Sequence, residues 1–491
     1  MMGDLYSRCL TVYIWLGAVN HSASRRQDPF AFIRNFADDK HYHELPGFYR
    51  DETGRLVFEE NAEFIALWDD FLFLANSTWW TRAWTVQESI LPRNCVAMYG
   101  HGKTAFTIFR LARERRNSHV SGSRQCCAES LAAFSSSGRR KFDLFLNEIG
   151  LIEQFRDYQH AQSGRKHHDK NTQVVTGYSD SCFSETVHTF SSRNCQDPRD
   201  RIYSLLAMAR SKKFEDCTPN YRATVAECYT YVFERMLAEA GDDYRCMMGT
   251  QSGLGLPGLP SWVRDFSQVT SPVHVGNQLR RIKSYSLFNA AGGKLGRPVV
   301  KNGIELHVTG VQADEIVAVG PVMEHLFVGQ ESLRKILAEW ITLCQQAVNS
   351  VDAGVVHRVL SRAICSMCAS SGYNQRMKES WLPNDNTWQR LLNGDVGVLD
   401  RLYQGAVEMA MTGRSIYITQ AGRIGICNPY ASPGDEVWVL FGSNVPFVIR
   451  RQVYTQTLPE KYQFVSDCFL DGIMDGDIVK GRTEGQPLIL I

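Results

Sequence analysis

Residues 78–88 read TWWTRAWTVQE and carry three tryptophans within six positions. A buried tryptophan removes a large apolar area from water, and its indole N–H then needs a partner. On a helix Trp84 and Glu88 are i, i+4 neighbours, so we expect this carboxylate beside an indole and Arg82 beside another acid. A carboxyl group against an apolar wall holds its proton more tightly, as general acids do, so Glu88 is a candidate catalytic acid. The alternative is that Glu88 caps or pairs within a tryptophan-anchored core.

This stretch resembles the signature of the heterokaryon-incompatibility (HET) domain of filamentous fungi, whose usual form is Trp/Phe-x-Arg-x-Trp-Thr-x-Gln-Glu. The residues at the positions of that signature are Trp80, Arg82, Trp84, Thr85, Gln87 and Glu88. Near the start of the chain, residues 12–17 read VYIWLG and are similar to a strand of the same domain, with Trp15 and Gly17 at the matching positions.

Three later segments are similar to ones that commonly follow this domain in fungal proteins, namely residues 197–203, 259–265 and 434–476. The resemblance implies a TIR-like α/β domain. It also implies a role in non-self recognition, in which HET domains act as cell-death effectors when incompatible cells fuse. The implied partners are other incompatibility proteins, bound through protein–protein contacts.

The resemblance leaves three alternatives for mechanism. Some TIR domains cleave NAD with a glutamate on a helix, so the domain could deplete a nucleotide cofactor with Glu88 near its site. It could instead be an assembly module without turnover, with Trp80 and Trp84 as core.

Family members open with Tyr-x-Trp-Gly and Asp-Ala-x-Cys-Ile-Asn-Gln segments that this sequence lacks, so we expect an N-terminally truncated member. Residues 1–90 are then the C-terminal half of a HET domain. The third alternative is an inactive fragment or an incomplete gene model.

The first residues favour the same expectation on physical grounds. Leu5, Cys9 and Val12 give a helix-like apolar stripe, and residues 11–16 form a β-rich run that Gly17 ends. An apolar helix that leads directly into a strand, with nothing before it, has too few neighbours to bury either face. We therefore expect the chain to begin inside a domain.

Composition and periodicity divide the following residues into two parts. Residues 91–196 are rich in charge and serine and show little periodicity, which predicts a polar, partly mobile insertion. Residues 197–300 predict a helical region. Within it, Thr224 and Glu227 form a capping-box pattern at the start of a helix that Gly241 ends.

Residues 301–491 predict a β-rich C-terminal domain. Short β-rich runs separated by turn signals occupy residues 304–310, 314–320, 415–419, 423–427, 437–441, 446–450 and 462–466. This spacing favours a small antiparallel barrel or sandwich, with a helical insertion at about 325–412. The predicted fold class is therefore mixed α and β and multi-domain, with a partial TIR-like α/β domain, a helical middle region and this β-rich domain.

The composition excludes several classes of protein. The 491 residues carry 53 Lys+Arg against 52 Asp+Glu, and this net charge of +1 lacks the footprint of a nucleic-acid-binding protein. The apolar runs are shorter than the ~20 residues that span a bilayer, and no secretory signal is found. The 14 cysteines are too sparse for a disulfide scaffold. We predict a soluble, cytoplasmic protein with no nucleic-acid partner and no membrane span.

Motifs that resemble metal or cofactor sites have simpler interpretations. Residues 41–44 (HYHE) and 167–169 (HHD) lie in polar stretches typical of solvated loops. Residues 365–368 (CSMC) lack the second pair that a structural zinc site needs. Residues 253–258 (GLGLPG) match a dinucleotide-binding pattern, but prolines stand where its helix should begin. The sequence therefore predicts no metal and no cofactor.

Overall fold

A computed structural model gives the structure of the chain in two compact units. The residues that it describes are 2–18, 28–120, 126–134, 136–161, 182–241, 243–249, 255–268, 271–324, 330–370, 373–452, 460–482 and 484–491. The first unit comprises Met1–Thr172, Arg193–Asp200 and Ser204–Met208, and the second comprises Gln173–Ser192, Arg201–Tyr203 and Ala209–Ile491. Both units combine helices with strands, which confirms the predicted mixed class. The motif at 167–169 lies outside the described residues.

The first unit begins with a helix and a strand and continues mainly with helices. Its elements are α1 Met2–Arg8, β1 Val12–Trp15, α2 Ala31–Ala37, β2 Phe48–Arg50, β3 Leu56–Phe58, α3 Ala62–Ala75, α4 Thr85–Ile90, β4 Cys95–Tyr99, β5 Gly102–Ala105, α5 Thr107–Val120, α6 Ala128–Ala133 and α7 Ser136–Ala161. Two short 3-10 helices, Tyr42–Glu44 and Thr78–Thr81, lie between them.

A three-stranded sheet in the first unit has β4 at its centre, with β1 and β5 at the edges. β1 pairs with β4 in parallel, with Ile14 opposite Ala97, and β4 pairs with β5 antiparallel. Ile14 is fully buried, whereas Tyr13 and Trp15 on the other face of β1 are 66% and 53% exposed. β1 is thus an edge strand that buries one face, and its sheet continues past residue 90, the predicted end of the domain.

The stretch 91–196, predicted as a polar insertion, contains β4, β5 and helices α5 to α7 in its described part. The apolar side chains of these helices form a core: Phe109 and Phe142 are fully buried, and the Phe142 ring lies 5.2 Å from that of Phe71 in α3. The structure differs from the prediction because charged residues between the apolar ones conceal the helical spacing. Residues 162–181 lie outside the described residues.

The helices and strands after residue 182 belong to the second unit, apart from Asp200 at the start of α9 and the 3-10 helix Leu206–Met208, which belong to the first. They are α8 Phe183–Phe190, α9 Asp200–Tyr203, α10 Val225–Ala240, α11 Pro272–Tyr285, β6 Val299–Lys301, β7 Glu305–Met323, α12 Gln330–Val348, α13 Ala353–Ile364, β8 Cys368–Ser370, β9 Asn374–Arg376, α14 Asp385–Leu392, α15 Arg401–Met411, β10 Arg414–Thr419, β11 Ile424–Cys427, β12 Glu436–Leu440, β13 Phe447–Gln452, β14 Lys461–Asp467, β15 Phe469–Leu470 and β16 Gln486–Leu490. Of the helices described in either unit, none has the length and apolar content needed to cross a bilayer.

The capping box predicted at the start of α10 is confirmed. Thr224 Oγ1 accepts a hydrogen bond from Glu227 N at 3.2 Å, and Glu227 Oε2 accepts one from Thr224 N at 2.7 Å. Each side chain thus satisfies a backbone donor that the first turn leaves free. The helix ends before Gly241, whose φ of +66° is one that glycine adopts without strain.

The strands of the second unit form a nine-stranded sheet organised around β7. The runs predicted at 304–310 and 314–320 form one continuous strand of 19 residues. Successive parts of β7 pair with β16, β12 and β10, and the pairings β12–β13–β14–β16 lead back to β7 in a closed ring. Helices α12 to α15 lie between β7 and β10 in the chain, as predicted for the helical insertion.

A charged network lies inside the second unit. Asp467 at the end of β14 is 2% exposed, and its Oδ2 lies 3.2 Å from Arg414 Nη1 and 3.6 Å from Arg281 Nε. Its Oδ1 accepts a hydrogen bond from Gly249 N at 2.8 Å. Burial acts to raise the pKa of Asp467, but the two guanidinium groups outweigh burial and hold this pKa below its ordinary value.

Candidate functional site

The segment 77–90 folds as a short 3-10 helix, a turn and α4. The Ser77 hydroxyl accepts a hydrogen bond from Trp79 N at 3.4 Å at the start of the 3-10 helix. Ala83 N in the turn donates to Asn194 O at 2.9 Å, which ties the turn to another segment of the first unit. α4 begins only at Thr85, so Trp84 stands in front of the helix.

Glu88 lies beside an indole, as predicted, but the indole belongs to Trp79. Trp79 Nε1 donates to Glu88 Oε2 at 3.0 Å. The predicted neighbour, Trp84, donates its Nε1 to Asp200 Oδ2 at 3.1 Å instead. The prediction named the wrong tryptophan, because Asp200, distant in the sequence, takes the indole N–H of Trp84.

Tyr6 of α1 is the second polar neighbour of Glu88. Burial, together with the charge of Glu88 and a hydrogen bond to it, raises the pKa of Tyr6 to about 12, so this phenol stays protonated at neutral pH. Arg82 is exposed, and among the described residues no acid lies within ion-pair distance of it, in contrast to the prediction. The half-buried Glu88 therefore has one indole and one phenol as partners.

Two other signature residues use their polar groups inside the fold. Thr85 is fully buried, and its Oγ1 lies 2.8 Å from Trp79 O and 2.7 Å from Arg82 O, so the hydroxyl fastens the preceding turn. Gln87 is 1% exposed and donates from Nε2 to Ser204 O at 2.5 Å. These contacts give both residues a role in holding the segment in place.

Trp80 is a core residue of the first unit. It is 2% exposed, and its ring lies 5.5 Å from that of Phe109 and 5.2 Å from that of Phe145. Its Nε1 donates to Leu74 O at 2.9 Å, so the indole N–H has the partner that burial requires. Trp80 O accepts a hydrogen bond from the buried Arg193.

Trp15 and Gly17, the signature residues near the start, lie on and after β1. Trp15 is 53% exposed and is not part of the core around Trp80. Gly17 has a φ of +135°, a conformation that favours glycine, and its O accepts a hydrogen bond from Gly100 N at 2.9 Å.

A cavity of about 390 Å³ lies in the second unit, lined by residues that include Leu259, Ser261, Asp265 and Gln463. Part of the glycine-rich pattern, Gly255, also lines it. Residues 255–260 are non-helical, with a turn at 257–258, and Gly253 lies outside the described residues. The lining includes no residue of the stretch 78–88.

One group of side chains with metal-ligand chemistry was missed by the sequence analysis. His41, His119, Cys126 and Cys127 each place a ligand atom within 4.8 Å of the others. His41 is half-buried rather than solvated, which corrects the interpretation of residues 41–44. In the sequence, Cys126 and Cys127 follow His119 closely, which is a weak signal of a metal site. The fourth side chain, His41, is 78 positions before His119 and comes close only in the fold.

Two comparisons relate this chain to heterokaryon-incompatibility proteins. Residues 385–490 match the family model described as the Het-6 beta-barrel domain. Heterokaryon incompatibility protein 6, OR allele, of Neurospora crassa is 31% identical over 87 residues, which are 16% of this chain and 12% of that protein. The chain therefore matches only a small part of the length of this curated relative. No solved structure matches. The two matches support a HET-related family for the chain.

Proposed function

We propose that this protein acts in fungal heterokaryon incompatibility, in non-self recognition that leads to cell death when incompatible cells fuse. The match of residues 385–490 to the Het-6 beta-barrel domain carries this proposal. The relative in Neurospora crassa, whose name states a role in incompatibility, supports it. The proposed partners are other incompatibility proteins in the cytoplasm.

We further infer the domain roles. The closed ring of β7, β12, β13, β14 and β16 is the proposed barrel, and it extends upstream of the matched residues because β7 precedes residue 385. Residues 1–90 are proposed to be part of a TIR-like HET domain. The parallel pair β1–β4, with α3 and α4 between its strands in the chain, supports an α/β arrangement there.

The preferred mechanism is assembly through contacts, without turnover. Trp80 Nε1, Thr85 Oγ1 and Gln87 Nε2 each donate a hydrogen bond to a backbone carbonyl inside the first unit. Such engagement supports a role for the signature as a scaffold.

The alternative mechanism is cleavage of a nucleotide cofactor with Glu88 as the catalytic carboxyl group. In its favour, the Glu88 side chain is half-buried and lies within hydrogen-bond reach of Trp79 and Tyr6. A carboxyl group held by an indole and a neutral phenol has the fixed orientation that acid–base catalysis needs.

The test is expression of the full chain and of Glu88→Gln in a fungal host, with viability and cellular NAD measured after induction. Glutamine keeps an oxygen acceptor for Trp79 Nε1, so the fold is retained. Glu60→Gln, at an exposed position, is the matched control. We expect equal loss of viability in all three strains with NAD unchanged.

The other outcomes separate the alternatives. A fall in NAD with the parent chain and with Glu60→Gln, but not with Glu88→Gln, would establish the catalytic alternative. Full viability of every strain on induction, with the proteins present at equal levels, would contradict the proposed role in cell death and favour an inactive fragment.

A further inference from the structure

Four side chains in the first unit converge on one point. His119 Nδ1 lies 2.9 Å from Cys126 Sγ, and His41 Nδ1 lies 3.4 Å from both Cys126 Sγ and Cys127 Sγ. A tetrahedral zinc ion has Zn–S distances of about 2.3 Å and Zn–N distances of about 2.0 Å, which put sulfur and nitrogen ligands about 3.5 Å apart. The two separations from His41 match that value, and the shorter one from His119 leaves its ring a few tenths of an ångström to move outward around an ion.

Local structure fixes the backbone of His41, His119 and Cys127. His41 precedes the 3-10 helix Tyr42–Glu44, and its backbone N donates to Glu44 Oε2 at 2.6 Å. His119 lies in the last turn of α5. Cys127 N donates to His119 O at 3.2 Å, and Cys127 O accepts from Leu131 N at 2.9 Å at the start of α6.

A carboxylate orients one of the two imidazoles. Asp39 Oδ1 lies 3.0 Å from His119 Nε2, on the opposite side of the ring from the cluster. Zinc-binding histidines commonly donate their second ring N–H to a carboxylate, which fixes the tautomer and makes the other nitrogen a better ligand. With the proton on Nε2, His119 Nδ1 presents its lone pair to the cysteine sulfurs.

We propose that His41, His119, Cys126 and Cys127 bind one zinc ion. Two thiolates and two imidazoles in a tetrahedral set are the donors that zinc prefers. Because the protein fills all four positions, the site is closed and structural. His119 and Cys127 are buried, whereas Cys126 is exposed and gives the ion a route of entry. The ion would join the segment after α2 to α5 and α6.

His43 is the natural control for this site. Its ring stacks on that of His41, with ring centroids 5.0 Å apart, and it lies outside the proposed set of ligands. Replacement of His43 therefore changes the local charge and stacking but removes no ligand.

The experiment uses the purified full chain, stripped with a chelator and then loaded with Zn²⁺ or Co²⁺. Mass spectrometry of metals should give one zinc per chain, and the Co²⁺ form should show the thiolate charge-transfer and tetrahedral d–d bands of a two-thiolate site. His43→Gln should keep both. The double variant Cys126→Ser and Cys127→Ser should lose them, and Asp39→Asn should weaken zinc binding by roughly 10–100-fold.

Three results would overturn the proposal. The first is clearly less than one zinc per parent chain, and the second is an octahedral Co²⁺ spectrum without thiolate bands. The third is a Cys126–Cys127 disulfide, found by peptide mapping of protein isolated from a reducing cytosol. The Co²⁺ spectrum of the parent chain counts the thiolates without any variant, so the test holds even where a cysteine variant does not fold.

Discussion

β1 in the first unit and β12 in the second are short, mainly apolar strands that each carry a tryptophan, and they differ in how much of them is covered. β1 reads VYIW and exposes Tyr13 and Trp15, whereas β12 reads EVWVL and buries every residue, including Trp438 at 2% exposure. β12 has a partner strand on each edge, whereas among the described residues β1 pairs with β4 alone. Both faces of β12 are covered and one face of β1 is not, so the covering of each face, rather than the hydrophobicity of the strand, decides how much of it leaves water.

The largest expected difference between the two strands concerns their tryptophans. Trp438→Ala should lower the free energy of unfolding of the second unit by about 3–5 kcal/mol, because a large buried side chain is replaced by a cavity. Trp15→Ala should lower that of the first unit by less than about 1 kcal/mol, since half of this side chain is already in water. Urea unfolding measures both, and equal losses would show that β1 is covered in solution.

The buried charges of the second unit supply the next test. Asp467→Asn should destabilise that unit by about 3–5 kcal/mol, because Arg281 and Arg414 would keep their charges inside the protein without a counter-ion. Asp477→Asn, at an exposed position, should stay within about 0.5 kcal/mol. A small loss for Asp467→Asn would mean that water reaches the network.

Asp467 should also make the stability of the second unit depend on pH in a definite direction. Since its pKa in the folded state lies below that of an unfolded aspartate, about 3.9, its contribution is complete above that pH. The contribution is lost as the pH falls through the lower, folded-state pKa. In acid unfolding experiments, the free energy of unfolding of Asp467→Asn should therefore fall less steeply with decreasing pH than that of the parent chain. The same pH dependence in both proteins would contradict the ion pairing.

Amide hydrogen exchange compares the two strands directly. We expect peptides from β1 to exchange roughly a hundredfold faster than peptides from β12, because an edge strand with an exposed face opens locally. Labelling of the intact chain under native conditions, followed by digestion and mass spectrometry of the peptides, measures both. Similar protection in the two strands would again indicate a cover over β1.

The smallest effect is expected at Thr85. Thr85→Val keeps the shape of the side chain but removes the hydroxyl that fastens the turn before α4, so we expect a loss of about 1–2 kcal/mol. Thr81→Val removes an exposed hydroxyl that bonds Thr78 O and should change stability by less than about 0.5 kcal/mol. Equal effects would show that the buried carbonyls find other donors.

Features set by neighbouring residues were predictable from the sequence. The capping box of Thr224 and Glu227 needs only three residues of spacing, and it forms as expected. The runs that became β10 to β14 are short, β-rich and bounded by turns, so their positions were found within one or two residues.

Features that depend on contacts across the chain were not predictable. Glu88 accepts from the indole of Trp79, whereas Asp200 takes the indole N–H of Trp84, and no local pattern contains that information. His41 and Cys126 meet only because the fold brings residues 85 positions apart together. In α5 to α7, charges between the apolar residues conceal the periodicity on which a sequence-based prediction relies.

The pairing of β7 with β16, far apart in the sequence, has a consequence for biosynthesis. Leu306 in β7 pairs with Leu490 in β16, and the ring of strands cannot close until β16 has been made. At about 5–20 residues per second, a ribosome needs roughly 10–40 seconds to extend the chain from one strand to the other. During that time the β16 side of β7 has unpaired backbone groups, a recognised target for chaperones and for misassembly between nascent chains.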